Sequence, residues 1–138
     1  MELKSTLDKL DIKLTDLRQA VLNIFIKTKK PLKAYDILNQ LKKSRDNAEP
    51  TTVYRVLEYF LTHHLIHRIE SDQSYTLCHD LQSHQDECAL LMHCQQCHAV
   101  TEIIDPILQA LLRKITQEND FLVQARHIEL SGCCHLCQ

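Results

Sequence analysis

Glycine is almost missing: Gly132 is the only one in 138 residues. Phosphate-cradling loops need several glycines so that backbone can approach the phosphates, and one glycine cannot build them. The sequence also has no His-Glu-x-x-His and no Gly-x-Ser-x-Gly, which removes the common metalloprotease and serine-hydrolase signatures. The run His127-Ile128-Glu129 ahead of Cys134-His135-Leu136-Cys137 superficially echoes the zinc deaminase signature. Only four residues separate Glu129 from Cys134, however, and the signature's proline is absent. The chain is therefore not expected to be an enzyme. Long apolar runs are lacking as well: no stretch approaches the roughly 18 uninterrupted apolar residues of a membrane helix. The amino end carries no charged stub, apolar run and small-residue cleavage site of the export type. No membrane association and a cytoplasmic location are the resulting expectations.

Cysteine, in contrast, is plentiful. Seven are present, an odd number, and four of them form two Cys-x-x-Cys pairs, Cys94/Cys97 and Cys134/Cys137, separated by 36 residues. A two-residue gap lets both sulfurs of a turn face one centre, so two such pairs can close a tetrahedral shell around zinc. A redox pair of the thioredoxin type needs one Cys-x-x-Cys at a strand-to-helix junction in a βαβ unit, and neither pair has that context. With no export signal, reduced thiols and metal are favoured over disulfides.

Composition is otherwise that of an ordinary globular chain, 44% hydrophobic and 25% charged, long enough for one compact domain or two small ones. The net charge of -2 hides an asymmetry: residues 1–77 carry 13 Lys+Arg against 10 Asp+Glu, a net of +3, and residues 78–138 carry 3 against 8, a net of -5. All seven cysteines and six of the nine histidines lie in the acidic part. A basic front facing a polyanion and a metal-holding back are therefore expected as two domains.

Apolar periodicity makes the front helical. Leu3, Leu7 and Leu10 recur at helical spacing. A second helix follows Thr15, an N-cap, with Leu17, Val21, Leu22 and Phe25 on one face. A third is predicted from Lys33 to Lys43 with Tyr35, Ile37, Leu38 and Leu41, after a break at Pro31. Residues 44–49 form a polar loop, and Pro50 opens a fourth helix through Val53, Val56, Leu57 and Phe60. Strands are predicted over 65–70 and 74–78, a hairpin around residues 71–73. Helices ending in a hairpin are the winged-helix arrangement, in which the last helix enters the major groove. That places Thr51, Thr52, Tyr54 and Arg55 at the reading end, where hydroxyls can bond phosphate or base and arginine can grip guanine with two bonds. In the back, strands are predicted over 89–92, 100–104 and 121–130. Pro106 opens a helix carrying Ile107, Leu108, Leu111, Leu112 and Ile115, an apolar face left over for a twofold partner.

A set of collinear motifs spans nearly the whole chain: Leu14-Thr15-Asp16-Leu17-Arg18, Ala34-Tyr35-Asp36-Ile37-Leu38, Pro50-Thr51-Thr52-Val53-Tyr54-Arg55, His67-Arg68-Ile69-Glu70, Tyr75-Thr76-Leu77-Cys78-His79, Cys94-Gln95-Gln96-Cys97 and Gly132-Cys133-Cys134-His135-Leu136-Cys137. In these the sequence resembles the ferric uptake regulator family, and within it the zinc uptake regulator branch. The resemblance implies an α+β chain with an N-terminal winged-helix DNA-binding domain at 1–80, a hinge at about 79–87 and a small zinc-stapled C-terminal α/β dimerisation domain at 88–138. It further implies a homodimeric, zinc-responsive repressor of zinc uptake genes acting on palindromic double-stranded operator DNA. Two Zn2+ per subunit are implied. The structural site falls on Cys94, Cys97, Cys134 and Cys137. The regulatory site falls on His67 and Cys78 with Glu102. Its fourth ligand is placed at His84, with Glu87 and the adjacent Cys88 as alternatives, because the stretch before Cys94 is longer than in the zinc-sensing relatives. Lys13, Arg18 and Tyr35 join the reading residues as backbone or flanking contacts.

Cys78 selects the zinc branch, since iron and peroxide sensors of the same family build their switch from imidazole and carboxylate whereas sulfur favours zinc. Those sensors, a zinc-stapled adaptor that binds protein rather than DNA, and a thiol redox protein are the alternatives. The chain departs from the family at Asp16, where proline is common, and at His98, where glycine is common and a positive φ would strain a side chain. His127 and Cys133 fall clearly on no ligand position and read as surface side chains, so no third metal site is claimed on them.

Overall fold

In the computed structural model, residues 7–8, 11–28, 30–78, 87–124 and 127–138 are described. The chain divides into two compact units, Met1–Gln82 and Ser83–Gln138. Together they hold four helices and two three-stranded sheets among the described residues, a mixed α+β fold.

The first unit is a winged helix. Leu7 and Asp8 are helical and the turn closes at Asp11 (φ 56°), with the Ile12 amide donating back to the Leu7 carbonyl at 3.1 Å. Leu3 and Leu10, also expected on that helix, lie outside the described residues. Helix α1, Asp16–Lys27, starts where Thr15 accepts from the Arg18 amide at 3.2 Å, and it buries Val21, Leu22 and Phe25. Asp16, where the family commonly has proline, sits in its first turn, where negative charge complements the helix dipole. Helix α2, Ala34–Lys42, buries Ile37, Leu38 and Leu41, and the Asp36 carboxylate accepts from the Lys33 amide at 3.1 Å. Helix α3, Pro50–Thr62, has its proline in the first turn, where no amide donor is needed, and buries Val53, Val56, Leu57 and Phe60. These side chains join Leu7, Ile12, Leu65 and Ile66 in one core.

Strands β2, Ile66–Ile69, and β3, Ser74–Leu77, form the expected hairpin. At its tip Asp72 accepts from the Ser74 amide at 3.1 Å, and Gln73 takes φ 56°. One strand was not expected from the sequence. Strand β1, Leu32–Lys33, pairs antiparallel with β3, giving the order β1-β3-β2. Two residues are too few to show a period, so only the partner defines them as a strand.

The second unit is a sheet of β4, Ala89–Cys94, β5, Val100–Ile103, and β6, His127–Gly132, in the order β5-β4-β6, with helix α4, Pro106–Glu118. Asp105 caps α4 by accepting from the Ile107 and Leu108 amides at 2.8 and 3.1 Å. Strand β4 pairs antiparallel with β5 and parallel with β6. The predicted strand over 121–130 is corrected: pairing begins at His127 opposite Ala89 and continues to Gly132 opposite Cys94. A parallel strand can begin only where its partner does. Residues 121–124 are not in a strand, and Phe121 and Leu122 are 66% and 83% exposed.

Candidate metal centres and nucleic-acid interface

Sheet register assembles the thiol centre. Because Cys94 ends β4 opposite Gly132, the two Cys-x-x-Cys turns leave the same end of the sheet side by side. The Gln95 amide fastens them by donating to the Gly132 carbonyl at 2.9 Å. The four sulfurs of Cys94, Cys97, Cys134 and Cys137 lie within 4.8 Å of one another, and Cys97 and Cys134 approach to 3.7 Å. Zinc–sulfur bonds of about 2.3 Å in a tetrahedron require sulfurs about 3.8 Å apart, so the quartet fits zinc. The turn at His98 keeps a positive φ of 64° without glycine, its amide donating to the Cys94 carbonyl at 2.9 Å.

The thiols are electrostatically unequal. Amide donors from Cys134, at 3.4 Å, and Cys97, at 3.5 Å, aim at the Cys94 sulfur and lower its pKa to about 5. Cys137 is pushed up to about 12, first by its hydrogen bond to the Cys134 thiol and then by desolvation. One thiolate, Cys94, is stabilised while Cys137 holds its proton, which is how such a pair behaves until a cation compensates the charge. Cys133, beside the quartet, is exposed, and its sulfur sits 3.7 Å from the Cys134 carbonyl.

A second pair of ligand atoms sits in the wing. His67 faces Thr76 across the hairpin, and Cys78 follows two residues later, so both side chains share one face of the pleat. The Cys78 amide donates to the Leu65 carbonyl at 2.9 Å and extends the ladder by one step. Both residues are buried, and the His67 imidazole and Cys78 sulfur lie within 4.8 Å of each other. Glu102 lies on β5 opposite Leu91, half-buried. His84 lies outside the described residues. Of the two alternatives for its role, Glu87 is half-buried, and Cys88 has its backbone held by Gln109, whose Oε1 accepts from the Cys88 amide at 2.7 Å. Burial also pushes the Cys88 thiol up.

The amino end of α3 is open to solvent. Thr51, Tyr54 and Arg55 are exposed and Thr52 is half-buried, while Val53 between them is buried. Tyr35, in the first turn of α2, is 70% exposed. Lys13 is exposed just before α1, but Arg18 is half-buried and engaged: its guanidinium donates to the Lys13 carbonyl at 2.9 Å and lies 3.6 Å from the Tyr59 ring centre. Tyr59 was not singled out in the sequence, where its position reads only as the border of the apolar stripe.

A winged helix joined to a sheet that carries a four-cysteine centre defines a metal-binding protein with a nucleic-acid-reading helix. The chain belongs to the ferric uptake regulator family, whose model matches residues 9–131. It is 30% identical over 127 residues to the zinc uptake regulation protein of Escherichia coli (strain K12), covering 92% of this chain and 74% of that one. It is also 30% identical over 131 residues to the ferric uptake regulation protein of Neisseria gonorrhoeae, covering 92% and 87%. Among solved structures it is similar to a zinc uptake regulator complexed with zinc and DNA, with a TM-score of 0.88 at 27% identity, over 99% of this chain and 90% of that one. Among the described residues, no helix is long and apolar enough to cross a membrane.

Proposed function

We propose that the chain is a zinc-responsive transcriptional repressor of zinc uptake genes, a cytoplasmic homodimer that binds palindromic operator DNA. Identity alone does not divide zinc from iron sensing, since relatives of both kinds match at 30%. The observation that carries the reading is the sulfur of Cys78 beside the imidazole of His67 on one face of the wing. Thiolate with imidazole is a zinc donor set, whereas a switch for iron would place carboxylate there.

Two ions per subunit have separate roles in this reading. Cys94, Cys97, Cys134 and Cys137 hold the structural ion, a closed shell of four thiolates with no position left for a ligand. His67 and Cys78, with Glu102 and His84, hold the regulatory ion. A cation bound there supplies compensating charge and a fixed coordination geometry. The wing residues belong to the DNA-binding domain, 1–80, and Glu102 to the dimerisation domain, 88–138, with His84 in the hinge at 79–87. Ligands drawn from both sides make the relative placing of the domains depend on zinc. Zinc can favour the DNA-binding pose only by binding that pose more tightly, and a coupling of about 1–3 kcal/mol is typical. In that pose Thr51, Thr52, Tyr54 and Arg55 of each protomer read a half-site, with Lys13, Arg18 and Tyr35 as flanking contacts. The small basic surplus makes non-specific attraction weak, so specific affinity depends on two half-sites.

The test is an anisotropy titration on promoter DNA of zinc-uptake genes at fixed salt, with free zinc buffered over the range below picomolar to nanomolar. Native protein is expected to bind only as zinc rises. Cys78→Ser should keep its structural ion yet lose about 5- to 150-fold of the zinc enhancement. Affinity independent of zinc in the native chain would leave the stapled adaptor as the better account.

A further inference from the structure

The segment ahead of α1 is tied to the reading helix by a contact 46 residues long in sequence. The hydroxyl of Tyr59, near the carboxyl end of α3, accepts from the Lys13 amide at 3.0 Å. The Lys13 carbonyl accepts from the Arg18 guanidinium at 2.9 Å, and that guanidinium lies 3.6 Å from the Tyr59 ring centre. Both backbone polar groups of Lys13 are thus held by two side chains stacked on each other. The His63 ring packs 4.1 Å from the Tyr59 ring. On either side of Lys13, Ile12 is buried and Leu14 packs against the core. Only the Lys13 side chain is left exposed.

We propose that Tyr59 is a positioning residue for DNA recognition: with Arg18 it fixes Lys13 in register with α3, so that the ammonium meets the DNA backbone while the amino end of the helix reads bases. This rests on the DNA-binding reading above. Tyr59 does not itself touch DNA. A lysine on a loose arm would lose backbone freedom on binding, and a backbone fixed beforehand removes that loss.

The probe is a palindromic duplex enriched from a random pool by the zinc-loaded native dimer, and affinity is measured across a range of salt. Tyr59→Phe keeps the ring beneath Arg18 and removes only the hydroxyl. It is expected to weaken binding about three- to tenfold, because the freed segment must be ordered on the DNA, with zinc content unchanged and the melting temperature lowered by no more than a few degrees. Lys13→Ala removes one phosphate contact from each protomer of the dimer and should make the slope of log K against log salt shallower by about 1.8. In the Lys13→Ala background, Tyr59→Phe should cost nothing further, since no ammonium remains to be placed. An equal loss in both backgrounds, or native affinity in Tyr59→Phe, would overturn the positioning role while leaving DNA binding intact. Failure of the native dimer to enrich any duplex would overturn the DNA-binding reading itself.

Discussion

At the scale of single residues, the scarcity of glycine has a measurable cost. Left-handed backbone positions are occupied by Asp11, His64, Gln73, His98 and Asp120, and such a conformation disfavours a side chain by roughly 1–2 kcal/mol. Glycine gives back about 0.5–1 kcal/mol of that in unfolded-state entropy. Gln73→Gly, at the exposed tip of the wing, is therefore expected to raise unfolding free energy by up to about 1 kcal/mol in a denaturant titration. A loss of stability would show that the glutamine side chain contributes more than its strain. The thiols give a second expectation. Cys94, at about 5, is already ionised at neutral pH, whereas Cys137, at about 12, must release a proton to ligate. Zinc competes with that proton, so affinity rises with pH, by about tenfold per unit for each proton displaced. Chelator competition between about pH 6 and 8 reads the slope, and a flat profile would contradict the protonated state of Cys137. Residue identity made the quartet legible from spacing alone. The positive φ at His98 was legible only as a departure from the family's glycine, and the Tyr59 clamp not at all, because a hydrogen bond across 46 residues leaves no local pattern.

At the scale of elements, helices were readable nearly to their ends because each carries its own punctuation: Thr15 caps α1, Pro50 opens α3, and Asp105 with Pro106 opens α4. Strands carry less of their own definition. Strand β1 and the bounds of β6 were missed because each is set by its neighbour, β3 for one and β4 for the other. Helix α4 illustrates what an amphipathic pattern means in an oligomer. Ile107, Leu111 and Ile115 recur at four-residue spacing, yet are 80%, 51% and 45% exposed in the single chain. A contiguous apolar stripe of this kind marks an interface, and in the proposed homodimer the partner's copy would cover it. Leu111→Glu is expected to weaken self-association at least about a hundredfold by placing an unpaired charge there. Sedimentation velocity reads the change directly; an unaltered dimer would move the interface elsewhere.

At the scale of the whole molecule, the two units are stabilised by different means. The first buries a continuous core running from Leu7 through Phe60 to Tyr75. In the second, the fully buried apolar side chains among the described residues are Ala89, Leu91 and Cys94, too few to hold a sheet and helix unaided. In the proposed zinc-loaded homodimer the ion and the partner subunit would supply the difference, and structural zinc contributes on the order of 10–16 kcal/mol in small modules. Stripping zinc with a strong chelator is therefore expected to abolish amide protection in β4, β5 and β6 while α1, α2 and α3 stay protected. Hydrogen exchange resolved by peptide would show this, and equal loss in both units would mean that they unfold as one. The charge asymmetry of the sequence runs along the same two parts of the chain, but the sizes of the two cores did not show in composition.

The join between α3 and the wing has a mechanical corollary. The helix ends at Thr62, turns through His64 at φ 57°, and by Ile66 is already strand, so His67 stands five positions beyond the last helical residue. The Leu65 amide donates to the Phe60 carbonyl at 2.9 Å, and the Leu65 carbonyl accepts from Cys78 at the same length. Such a junction is short and is hydrogen-bonded through both backbone groups of Leu65. In the proposed function, a pull on the imidazole or the thiol would reach α3 through this short hydrogen-bonded junction, as the turning of a lever, with no relay of side chains between sensor and grip.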